Sequence, residues 1–438
     1  MLDPITFRQA LRYWLKLGFI SFGGPAGQIS MMHQELVEKR RWISEHRFLH
    51  ALNFTMLLPG PEAQQLATYI GWLLHGTAGG IVAGMLFILP SLFILIALSW
   101  LYLAYHHVPA VAAILYGIKP AVTAIVLFAA FRIGRRAIKS IPLLVIAVLA
   151  FLSIFMFKAP FPLIIAMAAL AGYVGSRISP EKFSTGAMHA PGSASSAPAL
   201  IDDHTPLPDY AQFTWRHVIV YSLTGLLIWT MIMAVLFLFD GWQGTLTQMG
   251  WFFTKAALLT FGGAYAVLPY VYQGAVEHYG WLTAPQMIDG LALGETTPGP
   301  LIMIVTFVGF AGGWSGEIPG VGMQPLAGIL AACVATFFTF LPSFLFILVG
   351  GPMVEATRGE LGFTAPLTGI TAAVVGVILN LALTFAGHVF WPEGYAGDFA
   401  WFAMLIAVGA FVALYYFRKG IVSVIAVCAL AGLGHALL

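Results

Sequence analysis

Two tripeptides occur twice in this chain at one fixed spacing, and that duplication narrows the folds open to it more than any other feature. Phe22-Gly23-Gly24 returns as Phe261-Gly262-Gly263, and Pro59-Gly60-Pro61 as Pro298-Gly299-Pro300, each 239 residues later. Lys16 and Lys255, Gln34 and Gln273, Glu38 and Glu277, and Trp42 and Trp281 keep the same spacing. Further on, Leu89-Pro90-Ser91 matches Leu341-Pro342-Ser343 and Gly117 matches Gly369 at a spacing of 252, so the second copy carries a 13-residue insert around residues 314–325. Self-similarity at a constant period marks one structural unit built twice.

The solvent of that unit follows from composition. Of the 438 residues, 60% are hydrophobic and 9% charged, against about 25% charged in soluble domains, and the mean hydropathy is +0.89. The fold class is therefore an all-α polytopic membrane protein. Runs long enough to cross, about 20 residues each, lie at 78–104, 109–131, 141–157, 160–176, 217–239, 326–350, 365–388, 398–417 and 420–437. Four further segments, 8–30, 48–75, 250–271 and 287–312, carry the repeated glycine and proline motifs near their middles, making about 13 hydrophobic segments. Residues 177–216 turn polar around Pro191-Gly192-Ser193-Ala194-Ser195-Ser196 and Asp202-Asp203 and read as a mobile linker. The chain thus divides into an N-terminal repeat (1–176), a cytoplasmic linker (177–216), an extra helix (217–249) and a C-terminal repeat (250–438). Met1-Leu2-Asp3-Pro4 opens no basic, then apolar, leader, so the first segment is expected to stay.

Six segments precede the linker and one extra helix precedes the second copy, so the second copy enters the membrane upside down: the chain is expected to hold two inverted-topology repeats. Arg132, Arg135, Arg136, Lys139, Arg177, Lys182, Arg216, Arg358, Arg418 and Lys419 then share one side, the cytoplasm. Lys39, Arg40, Arg41 and Arg47 join them if 8–30 and 48–75 are broken, re-entrant hairpins rather than crossings. The counterpart loop, 271–285, has no Lys or Arg and is expected outside.

Broken backbone at membrane depth survives only against protein or a water-filled cavity, so the breaks are expected to line a site. A helix restarts after each one, with Pro25, Pro61 or Pro300 suited to a first helical position, and helix N-termini hold anions through free N–H groups and a partial positive charge. The candidate substrate residues are Phe22, Gly23, Gly24, Pro25, Pro59, Gly60, Pro61, Phe261, Gly262, Gly263, Pro298, Gly299 and Pro300. Lys16 and Lys255 stand six residues before each Phe-Gly-Gly to set the field, with snorkelling to the interface as their competing role. Glu62 and Glu295 flank the two Pro-Gly-Pro turns, as proton relays or as helix caps. Lys119, aligned with Thr371, and the Leu-Pro-Ser pair read as local structure. Cys333 and Cys428 lie in apolar runs without ligand spacing and the 12 His are scattered, so no metal or cofactor is expected. A net charge of +2 gives no reason to expect nucleic acid. An enzyme would need a nucleophile with a base, or a cofactor motif, and none stands in the apolar segments.

At these residues the chain resembles the chromate ion transporter family in its long, two-domain form. The resemblance covers nearly the whole chain: Phe-Gly-Gly-Pro at 22–25, Pro-Gly-Pro at 59–61, their second-half counterparts and the polar linker between. It departs at Ala264, where the first copy has Pro25. It implies a multi-pass protein of the bacterial inner membrane that exports chromate and confers resistance, with sulfate as the structural analogue and lipid as the surrounding partner. An anion channel or a transporter of sulfate or another oxyanion is the alternative, and a homodimer is left open. With about 100 mV negative inside, a departing dianion gains roughly 4.6 kcal/mol, enough for an outward gradient of about 2,000-fold at 1.4 kcal/mol per tenfold.

Overall fold

The computed structural model describes residues 5–183, 199–202, 205, 208–316, 318–356 and 364–437. The Pro191–Ser196 stretch of the linker, Asp203 and Arg358 lie outside the described residues. Among those described, helix is the only extended element, and β-structure is confined to an isolated bridge between Ile43 and Ile201.

The first copy runs α1 (Phe7–Ile20), α2 (Gly24–His33), a π-helical turn (Gln34–Lys39), α3 (Glu45–Leu57), α4 (Glu62–Tyr105), α5 (Pro109–Ala137), α6 (Ile141–Phe157) and α7 (Phe161–Ile178). A short α8 (Pro180–Phe183) enters the linker, and α9 (Trp215–Asp240) is the extra helix. The second copy runs α10 (Thr245–Leu258), α11 (Ala264–Tyr272), a π turn (Gln273–His278), α12 (Ala284–Thr296), a 3-10 turn (Leu301–Met303) with α13 (Ile304–Ser315), then α14 (Gln324–Ala356), α15 (Thr364–Phe390), α16 (Trp401–Tyr415) and α17 (Ile421–Ala436). Element follows element in the same order, down to the two π turns. Where the second copy has α13, a loop and α14, the first has α4 alone. Yet α4 is broken at His75 and Gly76 (φ −141° and +64°), and Gly71 then packs against Gly79 and Ala83. It is a hairpin too, and the insert only widens its turn.

Among the described residues six helices are long and apolar enough to cross a bilayer. The motif helices are not: α1 has 14 residues, α2 10 and α3 13, about 21, 15 and 20 Å at 1.5 Å per residue against a hydrocarbon core of about 30 Å. α1 and α3 end at their motifs and α2 begins at one, because the glycines there hold φ values closed to other residues, as at Gly23 (+92°) and Gly60 (+131°). The N-terminal approach, the basic loop and the α4 turn meet on one face. The His75 ring nitrogen lies 3.0 Å from the Ile5 carbonyl; Ser44 N–H donates to the Ile201 carbonyl; Arg47 donates to the Thr205 carbonyl; and Tyr210, five residues on, donates to the Leu73 carbonyl.

The two copies interlock. α5 packs on α16 and α17 of the other copy, while α15 packs on α6 and α7. The close approaches are mutual: Gly117 lies against Cys428 and Gly432, and its counterpart Gly369 against Ala168 and Gly172. Small residues let helix backbones approach this closely in a bilayer. The residue before the first π turn and the first residue of the second lie toward opposite ends of α6. His33 shares a cavity with Leu143 near its start, whereas Gln273 accepts from Phe161 N–H just beyond its end.

Candidate anion-binding cavity

The motifs of one copy are completed by the other. Gly60 N–H donates to the Thr260 carbonyl at 2.7 Å, and Gly299 N–H to the Ser21 carbonyl at 3.0 Å. Both donors and both acceptors are equivalent at the 239-residue spacing, so this pair of bonds is self-complementary in the way of a two-fold contact. Gln28 reinforces one junction, donating to the carbonyls of Ser21 (3.1 Å) and Gly299 (2.6 Å). Each Pro-Gly-Pro glycine also faces a Leu-Pro-Ser serine of the opposite copy. A Cβ on Gly60 would lie 2.4 Å from Ser343 Oγ, and one on Gly299 2.7 Å from Ser91 Cβ.

Beside these junctions opens a cavity of about 680 Å³. Its inner wall is the start of α11: Gly262 and Gly263, at φ +78° and +98°, then Ala264 and Tyr265. Among the described residues no side chain caps this helix, so the end of α11 that lines the cavity is the one where the helix dipole is positive. Pro25 and Ser30 of α2 form the opposite wall, and Glu62 enters from α4. Three cations from the end of α5 and the turn after it, Arg132, Arg136 and Lys139, complete the lining. Arg132 is half-buried and the other two are exposed. His33 lies there as well, its ring nitrogens 2.6 Å from Glu45 and 3.2 Å from Glu38. Behind the wall, the Tyr265 hydroxyl donates to the Glu295 carboxylate.

An overlapping part of the other copy holds only a cavity of about 150 Å³, whose lining includes Lys158, Pro269, Tyr272, Gln273, Glu277, Asn380 and Thr384. By the repeat spacings Pro269 stands for Ser30, Tyr272 for His33 and Thr384 for Arg132, and His388 takes the place of Arg136. Bulk narrows this cavity, and in place of guanidinium groups its lining has one cation, Lys158, matched by one carboxylate, Glu277.

Of the residues singled out from sequence, Pro25, Glu62, Gly262 and Gly263 line the large cavity. Glu295 stands one hydrogen bond behind it. Pro59, Gly60, Pro61, Pro298, Gly299 and Pro300 form the crossed junctions, with Gly23 and Gly24 (φ +92° and +71°) opening α2. Phe22 is 41% exposed and Phe261 half-buried, and neither lines the cavity. Nor do the lysines: Lys16 is exposed beside Leu15, Phe19 and Ile20, and Lys255 Nζ lies 5.5 Å from the Trp251 ring centre. Each lysine lies on a helix, α1 or α10, that ends before its motif, so the six-residue spacing does not fix where its side chain stands relative to the break. Arg132 and Arg136 read in the sequence only as topology markers, although the absence of basic counterparts at Thr384 and His388 was visible there. Lys119 has a partner across the copies: its Nζ is 3.5 Å from Asp289, which also accepts from Tyr102 at 2.8 Å and is 2% exposed.

Long apolar helices, and motif helices too short to cross beside a cavity lined by Arg132, Arg136 and Lys139, define a multi-pass membrane protein with an internal cavity. The chromate transporter family model matches residues 8–173 and 247–433, two regions whose starts are again 239 apart, and this chain belongs to that family. It is 32% identical to the chromate transport protein of Pseudomonas aeruginosa, covering 86% of this chain and 80% of the relative. Identity is 29% to that of Cupriavidus metallidurans, over 87% and 83%, and 29% to a probable chromate transport protein of Synechococcus elongatus, over 85% and 83%. No solved structure matches the chain.

Proposed function

We propose that this protein is a secondary transporter that carries chromate, and dianions of sulfate shape, out across the bacterial inner membrane and so confers chromate resistance. The observation that carries the reading is the 680 Å³ cavity, with Arg132 and Arg136 on its wall and the uncapped start of α11 at its depth. Cations concentrate an oxyanion at the mouth, and backbone N–H groups can replace its water without a buried counter-ion. The names of the relatives supply chromate as the substrate.

The arrangement in the membrane is part of the proposal. Contacts of Ile5, Ser44, Arg47 and Leu73 with one another's neighbours and with the linker support two hairpins re-entering from the cytoplasmic face. The residues at the two π turns, toward opposite ends of α6, support an inverted second copy, the architecture of many secondary transporters. The wide cavity would then open to the cytoplasm, where an exporter collects its substrate.

Everted membrane vesicles test this, since their outer face is the cytoplasmic one. Protein-dependent accumulation of radiolabelled chromate is expected, saturable, inhibited by excess sulfate and accelerated by exchange with unlabelled chromate inside. Accumulation only in right-side-out vesicles reverses the direction. Flux that neither saturates nor shows counterflow belongs to a channel.

A further inference from the structure

Two carboxylates without an ion-pair partner among the described residues stand at the cavity proposed to hold a dianion: Glu62 on its lining and Glu295 behind Tyr265, the latter within the longer-range field of Arg132. The Glu62 carboxylate reaches to 4.0 Å from where a Cβ on Gly263 would stand, beside the N–H groups that receive the anion. Glu295 is 8% exposed and accepts from Tyr265, a cavity-wall residue. Among the described residues neither carboxylate has a cationic side chain within 4 Å, in contrast to Asp289 with Lys119 and Glu35 with Arg40.

Resting on the anion-site reading above, we infer that Glu62 and Glu295 are proton-binding sites linked to the anion: chromate binds with uptake of protons from the cytoplasm onto these two carboxylates. The reason is charge. A dianion at the start of α11 meets the Glu62 charge directly and the Glu295 charge through one tyrosine, in a pocket shielded from water, where like charges disfavour each other's ionised form. A carboxyl group that gains a proton stops repelling the anion and becomes a hydrogen-bond donor to its oxygens.

Other titratable groups at the cavity do not replace them. Arg132, Arg136 and Lys139 are cations already and favour the anion without a proton. His33 from α2 is held between Glu38 and Glu45 of the π turn and α3. Tyr265 is committed as donor to Glu295. No charged side chain of α1, α13 or α14 lines the cavity among the described residues.

By linkage, the anion and the protons strengthen each other's binding by the same factor. Each linked proton makes affinity fall tenfold per unit rise in pH once the carboxylate is ionised in the empty protein. A proton that travels with the anion cancels one of its two charges, so the membrane potential drives the cycle less than a bare dianion would allow.

Titration calorimetry of purified protein with chromate at pH 8, where chromate itself is the dianion, tests this in two buffers of different ionisation enthalpy, Tris and HEPES. The heats should differ by at least one proton taken up per anion bound. Glu62→Gln and Glu295→Gln should each lower that count, and should tighten chromate binding at pH 8 tenfold or more. Binding with equal heats in the two buffers overturns the inference and leaves the anion site standing. A proton count unchanged in both Gln variants also overturns it, placing the protons elsewhere, as on His33. Absence of binding removes the anion site and the inference together. If one variant fails to fold, the wild-type count together with the other variant decides: an unchanged count in that variant overturns the inference.

Discussion

Replacing Arg132 with glutamine is expected to raise the chromate concentration for half-maximal transport about thirtyfold, with the protein still folded. Arg132 is half-buried on the cavity wall; among the described residues no carboxylate lies within ion-pair distance of it and its coupling to Glu295 is longer-range, so no direct ion pair competes with a ligand. Truncating one partner of a desolvated charge contact costs about 2 kcal/mol or more, and 1.4 kcal/mol is tenfold. Glutamine keeps the length and a donor, which separates lost charge from lost packing. Arg136→Gln serves as the comparison: that side chain is exposed, salt screens it over about 8 Å, and a change of only a few-fold is expected. Initial rates of labelled chromate uptake in vesicles, at matched protein level, measure both. Equal, small effects of the two substitutions would make the arginines general attractors rather than parts of a site.

Gly60→Ala and Gly299→Ala are expected to cost about 3 kcal/mol of stability each, by nearly equal amounts. Their φ values of +131° and +108° carry a strain of about 1–3 kcal/mol for a residue with a side chain. The added Cβ would also meet Ser343 Oγ at 2.4 Å or Ser91 Cβ at 2.7 Å, an overpacking of about 1–3 kcal/mol. Gly280→Ala isolates the first contribution, since Gly280 has φ +62° with nothing within 4 Å of a Cβ; about 1 kcal/mol is expected there. Thermal unfolding in detergent, followed by tryptophan emission, ranks the three. If Gly60→Ala and Gly299→Ala behaved like Gly280→Ala, the two copies would not be held together at these junctions.

Much of this fold was legible before the structure because the bilayer forces backbone groups to pair within a segment. The run read as 141–157 is α6 to the residue, and the four motif segments break where glycine and proline said they would. The tight return within α4 was harder to see. Gly76 stands among many membrane-helix glycines, and only its positive φ separates a turn from a packing contact. Site chemistry was less legible for a different reason. Arg132 obeys the positive-inside pattern whether it marks a loop or lines a cavity, and one-dimensional charge counts cannot tell these apart. Lys16 and Lys255 share the repeat spacing with the motifs, but spacing along the chain says nothing of which way a side chain points. Lys119 and Asp289 are 170 residues apart on non-equivalent positions, so nothing in the repeat pairs them. Ser91 and Ser343 looked like helix kinks because proline precedes each, although their hydroxyls lie beside the opposite Pro-Gly-Pro with no hydrogen-bond partner.

The location of the bound anion is the most direct test of the whole account. Crystals of the protein grown with chromate, with diffraction collected on both sides of the chromium absorption edge, give an anomalous peak wherever chromium sits. A single strong peak between the start of α11 at Gly263 and the Arg132 guanidinium, near Glu62, is the result expected. A peak beside Lys16 or Lys255, or in the small cavity at Thr384 with the large one empty, would contradict it.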